Sequence, residues 1–474
     1  MFMFSCKRCV NLRYYENVIK LVNAKSFNTR AVGYSHNVSR FISNKSTNFE
    51  SKDPFESVNL TYEKVESDSD VYDEDEYLYP ESLNSISNLP LHNVISHSSG
   101  LKNEDLENDA NSDDLSDVIA NNVSDIDLKI RNTEIAQFLE RALRDQVNPK
   151  CSVSLFGSAI NGLWTEGSDL DVCVEIPNVN SRSAVIRNLR RIATVLSPLS
   201  PTRVIQNRFT AKIPILNWRR DSKKRPVKIV EESLNKQEIL DFECESIPSI
   251  DISVNNVLAV ANSILVGSYV SFEPRVRGLI LLLKMWAKSK GINDRSRGTL
   301  SSFAISLMVI HFLQNCSPPL LPSLQDLAFS TNEPPNYVAG VDCRFSTDMN
   351  KIRAELNFLS KGKANTLDDR TLLINFFRYY GWYNLHSQGK PILIRSVDLS
   401  EFNMRLGTDT EDPDANLEKS TLGGPYLHVD NPFEIGIDVA NISIHQRSRI
   451  TNEFRKAYQT LRAGSTLKSL LSKS

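Results

Sequence analysis

Cysteine is scarce and scattered in this sequence, with 7 residues among 474. Only Cys6 and Cys9 have the spacing of a zinc-binding pair, and no second pair is present to complete such a site. A disulfide framework or a structural zinc module is therefore not expected. We interpret the cysteines as free thiols of a reducing compartment.

Long uncharged apolar stretches are also missing from the sequence. A membrane-spanning helix needs roughly 18 or more such residues in a row. The strongest apolar run, residues 276–286, is interrupted by Arg277 and Lys284, and it predicts a buried helix instead. We expect no membrane partner.

The formal net charge is only −2, but the charges are strongly segregated along the chain. Residues 1–50 carry eight basic and two acidic side chains, whereas residues 51–125 carry three basic and nineteen acidic ones. The remainder of the chain is therefore moderately basic. A basic body of this kind is compatible with a polyanionic partner.

The first 125 residues divide into two segments of unusual composition. Residues 1–50 are basic and rich in Ser and Asn, which is typical of an organelle transit peptide, with a disordered basic tail as the equal alternative. This leader leaves mitochondrial and cytoplasmic localisation open. Residues 51–123 are acidic and polar, and they predict a disordered linker because they offer little apolar surface to bury.

Regular structure is predicted from about residue 124 onward. Apolar residues recur at helical spacing over 125–146, and strands are predicted at 151–156, 168–176, 208–219 and 250–254, with a helix at 185–196. Residues 218–248 suggest an insertion or a long hairpin, and helices are predicted over 273–315, 366–383 and 448–461. The pattern predicts an α+β fold, with a mixed-sheet domain over 124–268 and a helical domain over 269–474.

Two aspartates in the second predicted strand are the sharpest chemical signal. Asp169 and Asp171 are two residues apart, so their side chains project from the same face of the strand. Paired carboxylates repel each other unless a cation neutralises them, and hard oxygen ligands suit Mg²⁺ or Mn²⁺. The Gly157-Ser158 turn lies eleven residues upstream, and Asp251 in a later strand supplies a third acid.

These residues together predict a two-metal nucleotidyl transfer. Asp169 and Asp171 would bridge two divalent ions, and Asp251 would hold the ion that activates an incoming 3′-hydroxyl. Backbone N–H groups of the Gly157-Ser158 turn would hold the phosphates of the leaving pyrophosphate. Catalysis is therefore assigned to Asp169, Asp171 and Asp251, which are also the expected metal ligands.

The same arrangement resembles the DNA polymerase β nucleotidyltransferase superfamily. Flanking segments narrow the resemblance to terminal uridylyltransferases and noncanonical poly(A) polymerases. Those segments are RFTAKIPI (208–215), LLLKMWAKSKGIND (281–294), GTLSSF (298–303), PPLLPSLQ (318–325), FFRYYGWY (376–383) and VDNPFEIGIDVA (429–440). The last two resemble the poly(A)-polymerase-associated region of that family, and the whole resemblance covers about residues 125–465.

The resemblance implies a set of nucleotide-binding residues. Lys284 and Lys288 match triphosphate-binding lysines, and Ser302 matches a phosphate-contacting serine. Phe303 matches the aromatic residue that stacks on the incoming base. The remaining matches are Asn262 and Ser263, at the positions of a pair that reads the ribose and base edge, and Glu434, in the nucleotide-recognition loop. The family also implies an active site in the cleft between its two domains.

Two departures from the family pattern concern base choice. Asn431 stands where the family carries Asp, and Ile437 stands where strict uridylyl enzymes of this type carry His. An apolar side chain cannot make the hydrogen bond by which His would favour UTP. The departure favours relaxed or ATP-leaning selectivity between UTP and ATP.

The expected partners are a ribonucleoside triphosphate and an RNA 3′ end, bound by a monomer. No RRM, KH or zinc-finger signature is present, so RNA would be bound by the cleft, by basic surface, or through a protein partner. Two alternatives remain open. One is a synthetase of small nucleotides such as oligoadenylates, and the other is an RNA-binding pseudoenzyme.

Overall fold

The computed structural model describes residues 126–165, 167–200, 203–221, 248–383, 390–397 and 427–472. The predicted basic leader, the acidic linker and most of the predicted insertion at 218–248 lie outside these residues. The domain boundary predicted at 268/269 stays a prediction.

A five-stranded mixed sheet forms the first half of the described chain. Its strands run in the order β1-β2-β5-β4-β3, and only β2 and β5 are parallel neighbours. The elements of this half are α1 (Ile126–Gln146), β1 (Ser152–Phe156), α2 (Ser158–Asn161), β2 (Leu170–Glu175), α3 (Arg182–Leu196), β3 (Arg203–Arg208), β4 (Ile215–Arg220) and β5 (Ile250–Val254). The mixed-sheet prediction is confirmed.

The single strand predicted over residues 208–219 was wrong, because the structure has two antiparallel strands there, β3 and β4. Residues 209–214 form the turn between them, and they include Pro214, which cannot donate a ladder hydrogen bond. The Arg182 guanidinium holds this turn by donating to the carbonyls of Phe209, Ala211 and Lys212 at 2.7–2.8 Å. These contacts lie 27–30 residues apart in sequence, so alternation of side chains alone did not reveal them.

Helices dominate the second half, as predicted. The elements are α4 (Val257–Phe272), α5 (Pro274–Ser289), α6 (Ser302–Asn315), α7 (Leu324–Ser330), β6 (Tyr337–Val338), β7 (Val341–Asp342), α8 (Met349–Leu359), α9 (Asp369–Gly381), α10 (Ile444–Arg462) and α11 (Leu467–Leu471). The Glu273 side chain accepts a hydrogen bond from the Arg275 amide at the start of α5, and Pro274 occupies the first helical position. Both features favour a helix start there.

The two halves bury different kinds of side chain. The sheet half packs α1 and α3 on one face of the sheet through aliphatic residues such as Leu139, Leu189 and Ile192. In the helical half, Trp286 packs edge-on against Phe377 with ring centroids 4.7 Å apart, within a large aromatic cluster. Helix α4 follows β5 directly, yet its apolar face belongs to the helical core.

The four cysteines of the described residues are free and buried. Cys151 and Cys173 lie in the sheet half, and Cys316 and Cys343 lie in the helical half. Burial raises the pKa of the Cys173, Cys316 and Cys343 thiols to about 12, so these thiols are protonated at neutral pH.

No single helix among the described residues is long and apolar enough to cross a membrane. Helices α4 and α5 reach the threshold of length and composition only as a pair, and they are bent by 119° relative to each other.

Candidate active site

Three aspartates lie on one face of the sheet because of the register between two strands. Asp171 of β2 stands directly opposite Asp251 of the parallel strand β5. Asp169 precedes Asp171 by two residues and therefore points to the same side. Two strands that lie far apart in sequence thus bring the three predicted acids together.

The proximity of these carboxylates perturbs their protonation. Burial, followed by the charges of Asp251 and Asp169, raises the pKa of Asp171 to about 7, against the opposing effect of Lys284. Desolvation and the charge of Asp251 also raise the pKa of Asp169, although a hydrogen bond from Ser249 and nearby Arg208 and Lys288 oppose the shift. Carboxyl groups held in this way bind a proton or a cation readily.

The Gly157-Ser158 turn lies against this carboxylate group. Gly157 has a φ of +65°, which favours glycine, and a Cβ at this position would lie 2.1 Å from Asp171 Oδ2. The Gly157 amide donates to the hydroxyl of Ser263 on α4 at 2.8 Å. The structure therefore brings Gly157, Ser263 and Asp171 together, and a larger residue at position 157 would displace the Asp171 carboxylate.

Lysines of α5 approach the acids from the helical half. Lys284 Nζ donates to the Leu163 carbonyl at 3.3 Å, and desolvation lowers the pKa of Lys284 to about 8, against the opposing charge of Asp171. Lys288 lies one turn further along the helix, is exposed, and acts electrostatically on Asp169. The two predicted phosphate-binding lysines thus lie beside the acids in different environments.

Amide side chains connect α4 to the predicted recognition loop. Asn262 Nδ2 donates to Asn431 Oδ1 at 3.5 Å, and Asn431 Nδ2 donates to Glu434 Oε2 at 3.0 Å. Asn262 is buried, and its Oδ1 atom has no hydrogen-bond partner among the described residues. A ligand group could satisfy this oxygen, since a buried acceptor left without a donor costs about 1–3 kcal/mol.

Ser302 and Phe303 begin α6. Ser302 is exposed and donates to Asn293 Oδ1 at 3.2 Å. Phe303 is half-buried and packs against the helical core. Phe303 therefore contributes to the core while part of its ring stays exposed. Its assignment to base stacking stays a prediction.

Two polar residues next to the acids were missed by the sequence analysis. Asn217 of β4 donates to Asp251 Oδ1 at 2.6 Å, and Ser249 forms a hydrogen bond with Asp169. Asn217 stands opposite Asp251 in the β4–β5 register. Its polarity between buried Leu216 and Trp218 was a visible signal, but only the register shows which acid it faces.

The donor set is one that suits a divalent cation. The acids supply hard carboxylate oxygens, which are the ligands that Mg²⁺ and Mn²⁺ prefer. Within the described ranges, no group of three or more His, Cys, Asp or Glu side chains is arranged so that it could hold a metal ion as it stands.

A mixed sheet with three acids on adjacent strands and a glycine turn beside them defines the nucleotidyltransferase class of the DNA polymerase β type. Residues 112–271 match the family model described as the mitochondrial-like poly(A) RNA polymerase, central palm domain. The fold is also similar to solved structures of the Cid1 poly(U) polymerase. One with MgGTP bound has a TM-score of 0.57 and 24% identity, and covers 76% of this chain and 98% of that chain.

Curated relatives agree with this class. Human terminal uridylyltransferase 7 is 32% identical over 248 residues, covering 52% of this chain and 15% of the relative. Poly(A) RNA polymerase GLD2-B of Xenopus laevis is 34% identical over 348 residues, covering 70% of this chain and 56% of the relative. Bovine GLD2 is 28% identical over 341 residues and covers 68% and 58%, respectively.

The chain is thus similar in sequence to terminal uridylyltransferases and noncanonical poly(A) polymerases. It spans a little over half the length of the GLD2 relatives and a much smaller share of terminal uridylyltransferase 7.

Proposed function

We propose that this protein is a template-independent RNA nucleotidyltransferase that adds UMP or AMP residues from UTP or ATP to RNA 3′ ends. The observation that carries the proposal is the β2–β5 register, which places Asp171 opposite Asp251 with Asp169 on the same face. The Gly157 turn packs closely against Asp171, and the positive charge of Lys284 lies beside the acids. Together they provide the binding groups that a triphosphate needs. Sequence similarity to terminal uridylyltransferase 7 and to GLD2 poly(A) polymerases supports the same reaction.

The three acids would bind the divalent cations, Mg²⁺ or Mn²⁺, on which the reaction depends. Two such ions, when bound, stabilise the attacking and leaving oxygens of an in-line displacement at phosphorus. Asp171 and Asp169 would share these ions, and Asp251 would bind on the side of the RNA 3′-hydroxyl. The rigid pairing of β2 with β5 holds the carboxylates in place, so little reorganisation is needed before reaction.

The triphosphate would lie between the Gly157-Ser158 turn and α5. Lys284 is largely desolvated, so its charge acts strongly on a nearby phosphate. Lys288 is exposed and adds a weaker, screened attraction. Ser302 would contact a phosphate and Phe303 would stack on the base, as the family resemblance implies.

Base choice would fall to the recognition loop. The Asn431 amide donates to the Ile437 carbonyl at 2.9 Å, and the Ile437 amide donates to the Glu434 carbonyl at 3.2 Å, so the loop closes tightly around Glu434. The Ile437 side chain has no polar atom to offer a base. We expect UTP and ATP to be used with similar efficiency, or ATP to be preferred, and a hundredfold preference for UTP in direct competition would contradict this.

An extension assay on a 5′-labelled single-stranded RNA tests the reaction. Each of the four NTPs is offered separately with Mg²⁺ or Mn²⁺, beside a variant carrying Asp169→Ala and Asp171→Ala. We expect a product ladder with UTP, ATP or both, and no ladder with the double variant. Failure of every NTP with folded protein would overturn the proposal and favour a small-nucleotide synthetase or a pseudoenzyme.

We further propose that the basic leader directs the protein to mitochondria, with a cytoplasmic protein as the alternative outcome. The composition of residues 1–50 is the support for this proposal. A fusion of these residues to a fluorescent protein should co-localise with a mitochondrial stain. A diffuse cytoplasmic signal would overturn it.

A further inference from the structure

Asn217 occupies an unusual place in the sheet. It lies on β4 between Leu216 and Trp218, both of which are fully buried on the opposite face. It is 5% exposed and stands directly opposite Asp251 of β5. A buried amide in the centre of a sheet requires a hydrogen-bond partner, because burying polar groups opposes folding unless they are hydrogen-bonded.

The hydrogen bond of the Asn217 side chain is directed at the third acid. Asn217 Nδ2 donates to Asp251 Oδ1 at 2.6 Å, whereas Asn217 Oδ1 is buried without a hydrogen-bond partner in the described part of the chain. Turning the amide over would place two oxygen acceptors against each other, so the chemistry fixes its orientation. The amide is therefore oriented toward Asp251 even though its own oxygen is left unsatisfied.

The neutrality of Asn217 matters for the site. A lysine or arginine at this position would form an ion pair with Asp251 and would compete with a bound cation. An amide instead fixes one oxygen of the carboxylate and leaves the full negative charge in place. The second oxygen of Asp251 is not part of this bond.

We propose that Asn217 is a positioning residue that orients the Asp251 carboxylate for a divalent cation. It would hold Oδ1 toward β4 and thereby direct Oδ2 toward the shared ion site of Asp169 and Asp171. The inference rests on the proposed function, since it assigns Asp251 the role of a cation-binding acid. Residues that orient metal ligands in this way typically change metal affinity or activity about 10–100-fold when they are replaced.

The test uses the full-length chain and two readouts. Mn²⁺ affinity is measured on the protein alone, from the EPR signal of free Mn²⁺, and kcat and KM for the NTP are measured in the extension assay. Asn217→Leu keeps the approximate shape and removes the donor. We expect it to weaken Mn²⁺ binding and lower kcat by about 10–100-fold each. KM for the NTP should change by less than about threefold, because the triphosphate contacts remain.

Matched variants separate positioning from general destabilisation. Asn188→Ala removes another buried asparagine of the same half, whose side chain donates to the Ala184 carbonyl at 2.9 Å. It should lower the melting temperature without changing Mn²⁺ affinity. If Asn217→Leu does not fold, Asn217→Val suits a strand, likewise removes the donor, and should bind Mn²⁺ more weakly than the wild type.

The outcomes distinguish this inference from the proposed function. Wild-type Mn²⁺ affinity in a folded Asn217→Leu or Asn217→Val variant overturns the inference, as does a wild-type protein that binds no Mn²⁺. If Asn217→Leu weakens Mn²⁺ binding but the wild type extends no RNA, the positioning role stands and the proposed function fails.

Discussion

The two sides of the candidate site are built by different means and carry opposite charge. The strand side consists of Asp169, Asp171 and Asp251, whose positions are fixed by backbone pairing between β2 and β5. The helix side consists of residues on α4 and α5, which contact the sheet half through individual hydrogen bonds. Ser263 accepts from the Gly157 amide, and Lys284 donates to the Leu163 carbonyl. Position on the strand side is thus a property of the sheet, whereas position on the helix side depends on single side chains.

The comparison has a consequence for substitution. A change on the strand side should abolish activity while leaving most of the fold intact. A change on the helix side should alter nucleotide binding or the contact between the two halves in graded amounts. Four sets of variants probe this difference.

The largest effect is expected for Gly157→Ala. The new Cβ would require the Asp171 carboxylate to move, and a non-glycine residue at a φ of +65° and a ψ of −145° adds about 1–3 kcal/mol of strain. Extension activity should fall more than about 100-fold, which corresponds to about 2.7 kcal/mol of transition-state stabilisation.

Gly464→Ala is the matched control for that variant, because Gly464 has a φ of +85° and no atom of the described residues lies within 4 Å of the position of a new Cβ. It should share the unfavourable positive φ and keep its activity. Equal losses of activity in the two variants would show that backbone strain, and not displacement of Asp171, is responsible.

A smaller effect on stability is expected for Asp171→Asn. The pKa of Asp171 is raised from 3.8 to about 7, so its contribution to stability is fully present below about pH 4 and is lost as the pH rises through 7. The asparagine variant avoids this loss. Without divalent metal we expect it to be more stable than the wild type by about 2 kcal/mol at pH 8, or about 5 °C in melting temperature.

The stability gain of Asp171→Asn should largely disappear at pH 4, where residue 171 is neutral in both the variant and the wild type. Mg²⁺ at pH 8 should also narrow it, because only the wild type keeps the full set of carboxylates for the ion. A constant difference in melting temperature at both pH values would contradict the assignment of the raised pKa to Asp171.

Replacement of the two lysines should give unequal effects on nucleotide binding. Lys284→Met removes a desolvated charge and should raise KM for the NTP about tenfold or more, or about 1.4 kcal/mol. Lys288→Met removes an exposed charge and should raise KM about threefold at low salt, with the difference vanishing at high salt. Identical, salt-independent changes would mean that the two lysines do not differ as their environments predict.

The smallest effect is expected for Arg277→Ala. Arg277 Nε donates to the Gly162 carbonyl at 2.8 Å and so joins α5 to the sheet half. Its loss should lower the free energy of unfolding by about 1 kcal/mol in a denaturant titration. Arg353→Ala, at an exposed position of α8, should change it by less than about 0.5 kcal/mol. A larger loss of stability in Arg353→Ala than in Arg277→Ala would contradict a stabilising role for the Arg277–Gly162 hydrogen bond.

The strand side of the site was predictable from the sequence because it depends on a local rule. Side chains two residues apart share a face of a strand, and this rule alone places Asp169 beside Asp171. The strand at 250–254 was predicted with its bounds, so Asp251 was also available as the third acid. The mixed-sheet fold class followed from the same patterns and is confirmed.

The contacts that complete the site were not predictable in the same way. The Gly157–Ser263 bond joins residues 106 apart, and the Asn217–Asp251 bond joins residues 34 apart. Neither leaves a periodic signal in the sequence, because each depends on how two separate elements meet. The β3–β4 turn was missed for the same reason, since Arg182 of a distant helix holds it in place.

The four buried cysteines of the described residues could report how often each half of the molecule opens to solvent. A thiol with a pKa near 12 that is shielded from solvent reacts with an alkylating reagent only during the moments when its surroundings open. Cys173 and Cys151 would report openings of the sheet half, and Cys316 and Cys343 those of the helical half. Pulsed alkylation followed by mass spectrometry of the separate peptides would therefore time the opening of each half within the same intact chain.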